Sequence, residues 1–286
     1  MKRIGAQSVT QAVKALCIQA NYHMPKAVTG VIQACKAQES WLPAQSVLEQ
    51  ILHNGEIAHE GVFPACQDTG MACIFAELGQ DVYVEGSLRE AIHEGVRQGY
   101  EAGYLRKSIV DDPLERKNTG DNTPAMITFD VVPGECLKLS IIPKGAGSEN
   151  MSRVAMLSPS AGRQGVVDFV VETVRLAGSN PCPPIVLGVG VGGSFDQVTA
   201  LAKKALLRPL GEPSPKAEYA DLEREILMRV NQLGIGPAGL GGDTTALAAA
   251  VEACPTHIAM LPVAVNINCH VARVASVVLE GEAYAG

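Results

Sequence analysis

The chain has 286 residues, 47% apolar and 19% charged, enough to bury one large core and unlike disordered or fibrous classes. Its formal net charge of -7 is spread along the sequence with no lysine- or arginine-rich run, which excludes nucleic acid as the main partner. Met1-Lys2-Arg3 is basic, but no signal-peptide apolar run follows, and the hydrophobic stretches Pro184 to Val191 and Ile258 to Ile267 are too short to span a bilayer, so a cytoplasmic chain without membrane contact is expected.

The first sixty residues or so read as an all-helical segment. Ser8 and Gln11 form a capping box ahead of the stripe Val9, Val13, Leu16, Cys17 and Ala20; a second stripe is Val28, Val31, Ile32 and Cys35. A third, Val47, Leu48, Ile51 and Leu52, is expected to stop at Asn54-Gly55. Ala72 to Phe75 reads as a short strand and Leu88 to Tyr100 as a helix. Ile127, Phe129 and Val131 alternate with polar residues, Pro133-Gly134 supplies a turn, and Leu137, Leu139 and Ile141 alternate on the way back, which predicts a hairpin over 126–142. Val166 to Leu176, Phe195 to Leu207 and Ala217 to Leu233 are helical, and Ile185 to Leu187 is a buried strand. The fold class is therefore α/β with antiparallel pairing, a mixed α+β arrangement in a single unit, 1–286, behind a helical segment of about 1–60.

Eight cysteines in a reducing compartment suggest burial or metal binding rather than disulfides. Cys17 and Cys35 lie on helical stripes and read as core, and Cys136 at the hairpin edge reads as structural. Cys66, in Pro64-Ala65-Cys66-Gln67-Asp68-Thr69-Gly70, Cys182, between Pro181 and Pro183, and Cys269, in Asn268-Cys269-His270, stand in turn-like segments. Such backbone can aim a thiolate at a metal. Their long separations are unlike the compact pairs of zinc ribbons or ferredoxins, and spacing alone leaves three unrelated buried thiols as the plainer alternative.

Further segments narrow the choice. Cys66 to Gly70, Leu105-Arg106-Lys107-Ser108, Arg116 to Pro124, Lys144-Gly145-Ala146-Gly147-Ser148-Glu149-Asn150, Cys182-Pro183-Pro184, Gly234 to Gly242 and Asn268-Cys269-His270-Val271 together, and in this order, resemble the class I fumarases over roughly residues 10 to 280. The resemblance implies an iron-sulfur hydro-lyase fold in which Cys66, Cys182 and Cys269 hold a 4Fe-4S cluster that has one iron without a protein ligand. It implies reversible hydration of fumarate to L-malate, with that iron as Lewis acid. By the same resemblance Gln67, Asp68, Arg106, Gly147 and His257 bind the small dicarboxylate substrate. Asp68 is the candidate for proton transfer, Arg106 would grip a carboxylate, and the Gly147 amide would donate a hydrogen bond. Without the resemblance Asp68 is a turn residue, Arg106 a solvated charge and His257 a half-buried histidine.

Ala146 stands where these enzymes usually show a third glycine, a change that matters only if the position needs positive φ. Single-chain members continue with a second domain that supplies further substrate groups, including the probable base, whereas this sequence stops at Gly286. It thus looks like the α subunit of a two-subunit enzyme that needs a separately encoded β subunit, in an α2β2 hetero-oligomer. L-tartrate dehydratase and mesaconate hydratase α subunits are the alternatives within the class. From another class, Gly188-Val189-Gly190-Val191-Gly192-Gly193 fits the G-x-G-x-x-G of NAD-dependent oxidoreductases, but no second strand with an acid for a ribose follows.

Overall fold

The computed structural model describes residues 1–284. In chain order the elements are β1 (Lys2–Gly5), α1 (Ala6–Tyr22), α2 (Lys26–Gln38), α3 (Leu42–His59), β2 (Met71–Gly79), β3 (Val82–Glu85) and α4 (Leu88–Ala102). There follow β4 (Met126–Val132), β5 (Cys136–Lys144), α5 (Ala146–Glu149), β6 (Arg153–Leu157), α6 (Gly162–Ala177), β7 (Ile185–Gly192) and α7 (Phe195–Ala205). The last are α8 (Ala217–Asn231), β8 (Ala246–Cys254), β9 (Leu261–Asn268), β10 (Ala275–Glu280) and β11 (Glu282–Ala283). Helices and mixed sheets together give the α+β class expected. No helix among the described residues is long and apolar enough to cross a membrane.

The chain forms two compact units, the first from residues Met1–Met24, Ile57–Lys144 and the chain from Arg273 onward, the second from Pro25–Glu56 and Gly145–Ala272. In the first, a four-stranded sheet has the order β10-β5-β2-β4, and a smaller sheet has the order β11-β1-β3. Alternate residues of the larger sheet, Ala72, Ile74 and Ala76 on β2 and Leu137, Leu139 and Ile141 on β5, form one core with Val9, Val13, Leu16 and Cys17 of α1 and Ile92, Val96 and Tyr100 of α4. Burial pushes the Cys17 thiol up to about 12, so it is an apolar core residue as its stripe predicts.

Three local expectations are corrected. The strands over 126–142 exist, but they do not pair with each other: β2 lies between them, parallel to β4 and antiparallel to β5. The reason is that β2 runs for nine residues and is buried on both faces over most of its length, which suits it to the centre of the sheet rather than to the edge. Ser8 and Gln11 fall inside α1, whose N-cap is Gly5 without a side-chain cap, because β1 leads the chain directly into the helix. Helix α3 passes through Asn54-Gly55 to His59, since its buried stripe of Leu48, Ile51 and Ala58 continues past that pair.

In the second unit the sheet order is β6-β9-β7-β8, with β7 parallel to β8 and antiparallel to β9. Ile185, Leu187 and Val189 share a core with Val166, Val170 and Val174 of α6 and Leu222, Ile226 and Val230 of α8. On the opposite face α7 approaches so closely that a Cβ on Gly188 would stand 2.1 Å from the Ala202 carbonyl oxygen, and one on Gly190 2.2 Å from that of Val198. These glycines therefore lie within a strand and admit a helix, and α7 is followed by α8 rather than by a ribose-binding strand. Nearby, the buried Glu39 carboxylate accepts the backbone N–H groups of Asp243 at 2.8 Å and Thr244 at 2.9 Å, which ties down the end of the Gly234 to Gly242 loop.

Candidate active site

In the first unit the residues ahead of β2 form a tightly tied turn. The Asp68 carboxylate accepts the Gly70 N–H at 3.0 Å, and the Cys66 thiol lies 3.5 Å from the Gln67 side-chain oxygen. Thr69 Oγ1 accepts the Arg106 N–H at 2.9 Å, the Tyr100 hydroxyl reaches the Thr69 and Gly70 carbonyls at 3.0 and 2.9 Å, and the Asn122 amide donates to Gly70 at 3.2 Å. Gly70 has φ +73, and a Cβ there would stand 2.7 Å from the Lys144 backbone, so no other residue fits this crossing. The turn thereby fixes Cys66, Gln67 and Asp68 to the segment of Arg106. The Arg106 side chain is exposed and has no ion-pair partner among the described residues, which leaves its guanidinium open to an anionic ligand.

The Arg116 to Pro124 segment is held in the same unit through Asp121, which accepts the Thr123 hydroxyl at 2.7 Å, the Thr123 N–H at 3.0 Å and Arg97 Nε at 2.9 Å. Burial works to raise the Asp121 pKa, but these donors outweigh it and hold the carboxyl down at about 2.

In the second unit Cys182 is exposed and has φ +56, a left-handed conformation, and its N–H donates to the Ser179 carbonyl at 3.1 Å. The Cys182 carbonyl accepts from His270 Nδ1 at 3.0 Å and more weakly from the His270 N–H at 3.4 Å. Cys269, at the end of β9, is thus brought beside Cys182. Gly147 joins them: a Cβ on it would stand 3.4 Å from the Asn180 carbonyl oxygen, and the Asn180 amide approaches Met151 Sδ at 3.7 Å. Ala146 opens α5 and is absent from the residues at positive φ, so its replacement of a glycine is accommodated.

His257 is placed elsewhere. It is exposed in the turn between β8 and β9, where its Nδ1 accepts the Ala259 N–H at 3.2 Å, and Thr256 beside it donates to Gly193 at the end of β7. Cys182 precedes the start of β7 and Asn268 pairs with Val186, so His257 is about 25 Å from Cys269, the length of an eight-residue strand.

All eight cysteines are free thiols, so Cys66, Cys182 and Cys269 are chemically available as soft ligands. Among the described residues no group of three or more His, Cys, Asp or Glu side chains could hold a metal ion. That describes single-ion cages; thiolates bound to different irons of one cluster stand farther apart than ligands of one ion.

The sequence profile of the fumarate hydratase (Fumerase) family matches residues 10–278. This chain belongs to the fumarate hydratase family. As a member of it, the chain is a hydro-lyase. A Methanocaldococcus jannaschii protein provisionally named L(+)-tartrate dehydratase subunit alpha is 41% identical over 268 residues, covering 91% of this chain and 94% of the relative. The Escherichia coli and Shigella boydii L(+)-tartrate dehydratase alpha subunits are each 30% identical over 272 residues, covering 94% of this chain and 89% of theirs. Within this fumarate hydratase family chain, sequence reasoning passed over Thr69, Tyr100 and Asn122, which build the Asp68 turn. Thr69 and Asn122 carried a signal only as members of the Cys66 to Gly70 and Arg116 to Pro124 segments, and Asn122 adopts φ 62.

Proposed function

We propose that this chain is the α subunit of an iron-sulfur hydro-lyase acting on a four-carbon dicarboxylate, with Cys66, Cys182 and Cys269 as ligands of a 4Fe-4S cluster. The observation that carries the proposal is the junction of Cys182 with His270, which joins two of the cysteine segments across 88 residues of sequence. Cys66, Cys182 and Cys269 would hold such a cluster, and it would supply Lewis acidity towards a substrate hydroxyl.

The remaining work falls to the chain's own side chains. Arg106, exposed and without an ion-pair partner among the described residues, offers its planar fork to one substrate carboxylate. Gln67 contributes an amide for orientation, and the Gly147 N–H is a further donor for a carboxylate oxygen. Asp68, oriented through its bond to the Gly70 N–H, is the group in this chain suited to moving the proton between substrate carbon and solvent. His257 is too far from Cys269 within its own unit to meet the same substrate, so it serves the site from a second α chain, as an α2β2 assembly would allow.

Relatives named as alpha subunits support a β subunit as the partner that completes the pocket. Fumarate to L-malate is the first substrate reading, carried by the family match. L-tartrate is the second, favoured by the names of those relatives. The test is anaerobic co-expression with the β subunit and assay on L-malate, L-tartrate and 2-methylmalate. Iron and sulfide at about four per α chain with turnover on one of these acids is the expected result. Serine at Cys66, Cys182 or Cys269 should abolish both; unchanged iron and turnover in any of the three variants would refute the ligand assignment.

A further inference from the structure

Behind the Gly145–Asn150 turn a chain of polar side chains crosses to strand β9. Glu149 accepts from Lys203 Nζ through one carboxylate oxygen and from the Asn266 amide at 2.8 Å through the other. The same amide nitrogen donates to Ser152 Oγ at 3.1 Å, and the Ile267 N–H donates to that hydroxyl at 3.1 Å. Ser152 closes the circuit by donating to the Ser148 carbonyl at 3.5 Å. Asn266 is 6% exposed, and its Oδ1 has no hydrogen-bond partner among the described residues.

That orphaned oxygen is informative. A buried acceptor without a donor is costly, so the position keeps asparagine for what its nitrogen does. Aspartate would set a second carboxylate against Glu149 and supply no donor, while leucine would remove the one donor that Glu149 and Ser152 share. Lys203 balances the charge that Asn266 leaves uncompensated, and both members of that pair have side chains only about a quarter exposed, at 23% and 24%. From Asn266 the strand continues through Ile267 and Asn268 into Cys269, and at the other end of the network lies Gly147.

We propose that Glu149 and Asn266, supported by Lys203, are positioning residues that clamp the Gly147 turn to the strand leading into Cys269. One rigid piece then sets both the amide for the substrate carboxylate and a cluster ligand. The catalytic consequence rests on the functional reading above; the mechanical one does not. A displaced positioning group weakens the contacts it makes to a bound carboxylate, so a clamp made of several bonds suits the task.

The experiment compares Glu149→Gln, Asn266→Ala and Lys203→Met in the anaerobically assembled complex, by hydrogen exchange and by kinetics. Amides of residues 146–151 should exchange about tenfold faster while those of β7 and β8 stay protected. KM for the dicarboxylate should rise about tenfold with kcat within threefold and iron content unchanged, the pattern of lost uniform binding. Lys203→Arg should restore most of what Lys203→Met loses. Unchanged exchange in the turn and unchanged KM would overturn the clamp, whatever the iron content. Lys203→Met, at the outer end, decides the matter if Asn266→Ala does not fold. A wild-type complex with neither iron nor turnover would sink the functional reading, and exchange in the turn would then judge the clamp by itself.

Discussion

His270 Nδ1 donates to the carbonyl oxygen of Cys182 at 3.0 Å across 88 residues of sequence. This bond makes Nδ1 the protonated ring nitrogen and sets the Cys182 loop and the Cys269 segment in one frame, an arrangement typical of the groups that orient metal ligands.

His270→Ala removes the ring donor and keeps the weaker backbone contact. Groups that orient ligands are typically worth about 10-fold or more in metal affinity, so the variant complex should lose iron to a chelator about 10-fold faster than wild type. Bleaching of the visible absorption under anaerobic chelation measures this directly. Equal rates would show that the Cys182 loop holds its shape unaided.

Gly188 and Gly30 make a matched pair. A Cβ at Gly188 would meet the Ala202 backbone at 2.1 Å, and one at Gly30, in α2, would meet nothing within 4 Å. Gly188→Ala should therefore destabilise by about 3 kcal/mol or more through overpacking. Gly30→Ala should be neutral or stabilising by up to about 1 kcal/mol through helix propensity. Thermal melts of the two variants check the contrast, and equal melting temperatures would mean that α7 is less closely seated on β7.

The Asp121 carboxyl, held at about 2 against an ordinary value of 3.8, links stability to acid. Because its folded pKa is depressed, the ionised form favours the folded state. Its stabilisation is fully present above pH 3.8, and it is lost as pH falls towards about 2. Asp121→Asn should melt lower than wild type at neutral pH, and the gap should close between about pH 4 and pH 2. A gap independent of pH would assign the effect to packing rather than charge.

What was legible in the sequence was local. The apolar stripes of α1 and α4 and the alternation of β4 and β5 appear where periodicity puts them, because side-chain direction repeats within a few residues. Pairing partners were not legible: β4 and β5 are joined by a turn that looks like a hairpin, yet β2, from far earlier in the chain, separates them. The glycines of β7 mimic a phosphate loop because close helix packing and close phosphate approach both demand the absence of a Cβ. At the candidate site the turns around Cys66 and Cys182 were readable from Pro, Asp and Gly. The Glu149–Asn266 bond was not, since 117 residues separate its members. Nor could the sequence show that one whole strand lies between His257 and Cys269.

The order in which the ribosome releases the chain matters for the sheet that follows the Cys66 turn. Its edge strand β10 begins at Ala275, and β11, which pairs with β1, comes later still. Every residue of the second unit has by then been synthesised. The sheet behind Cys66 therefore closes only after the segments of the second unit, which interrupt the first in sequence, have been made. Whatever Cys66 helps to bind thus depends on a strand that the chain supplies only after the whole of the second unit.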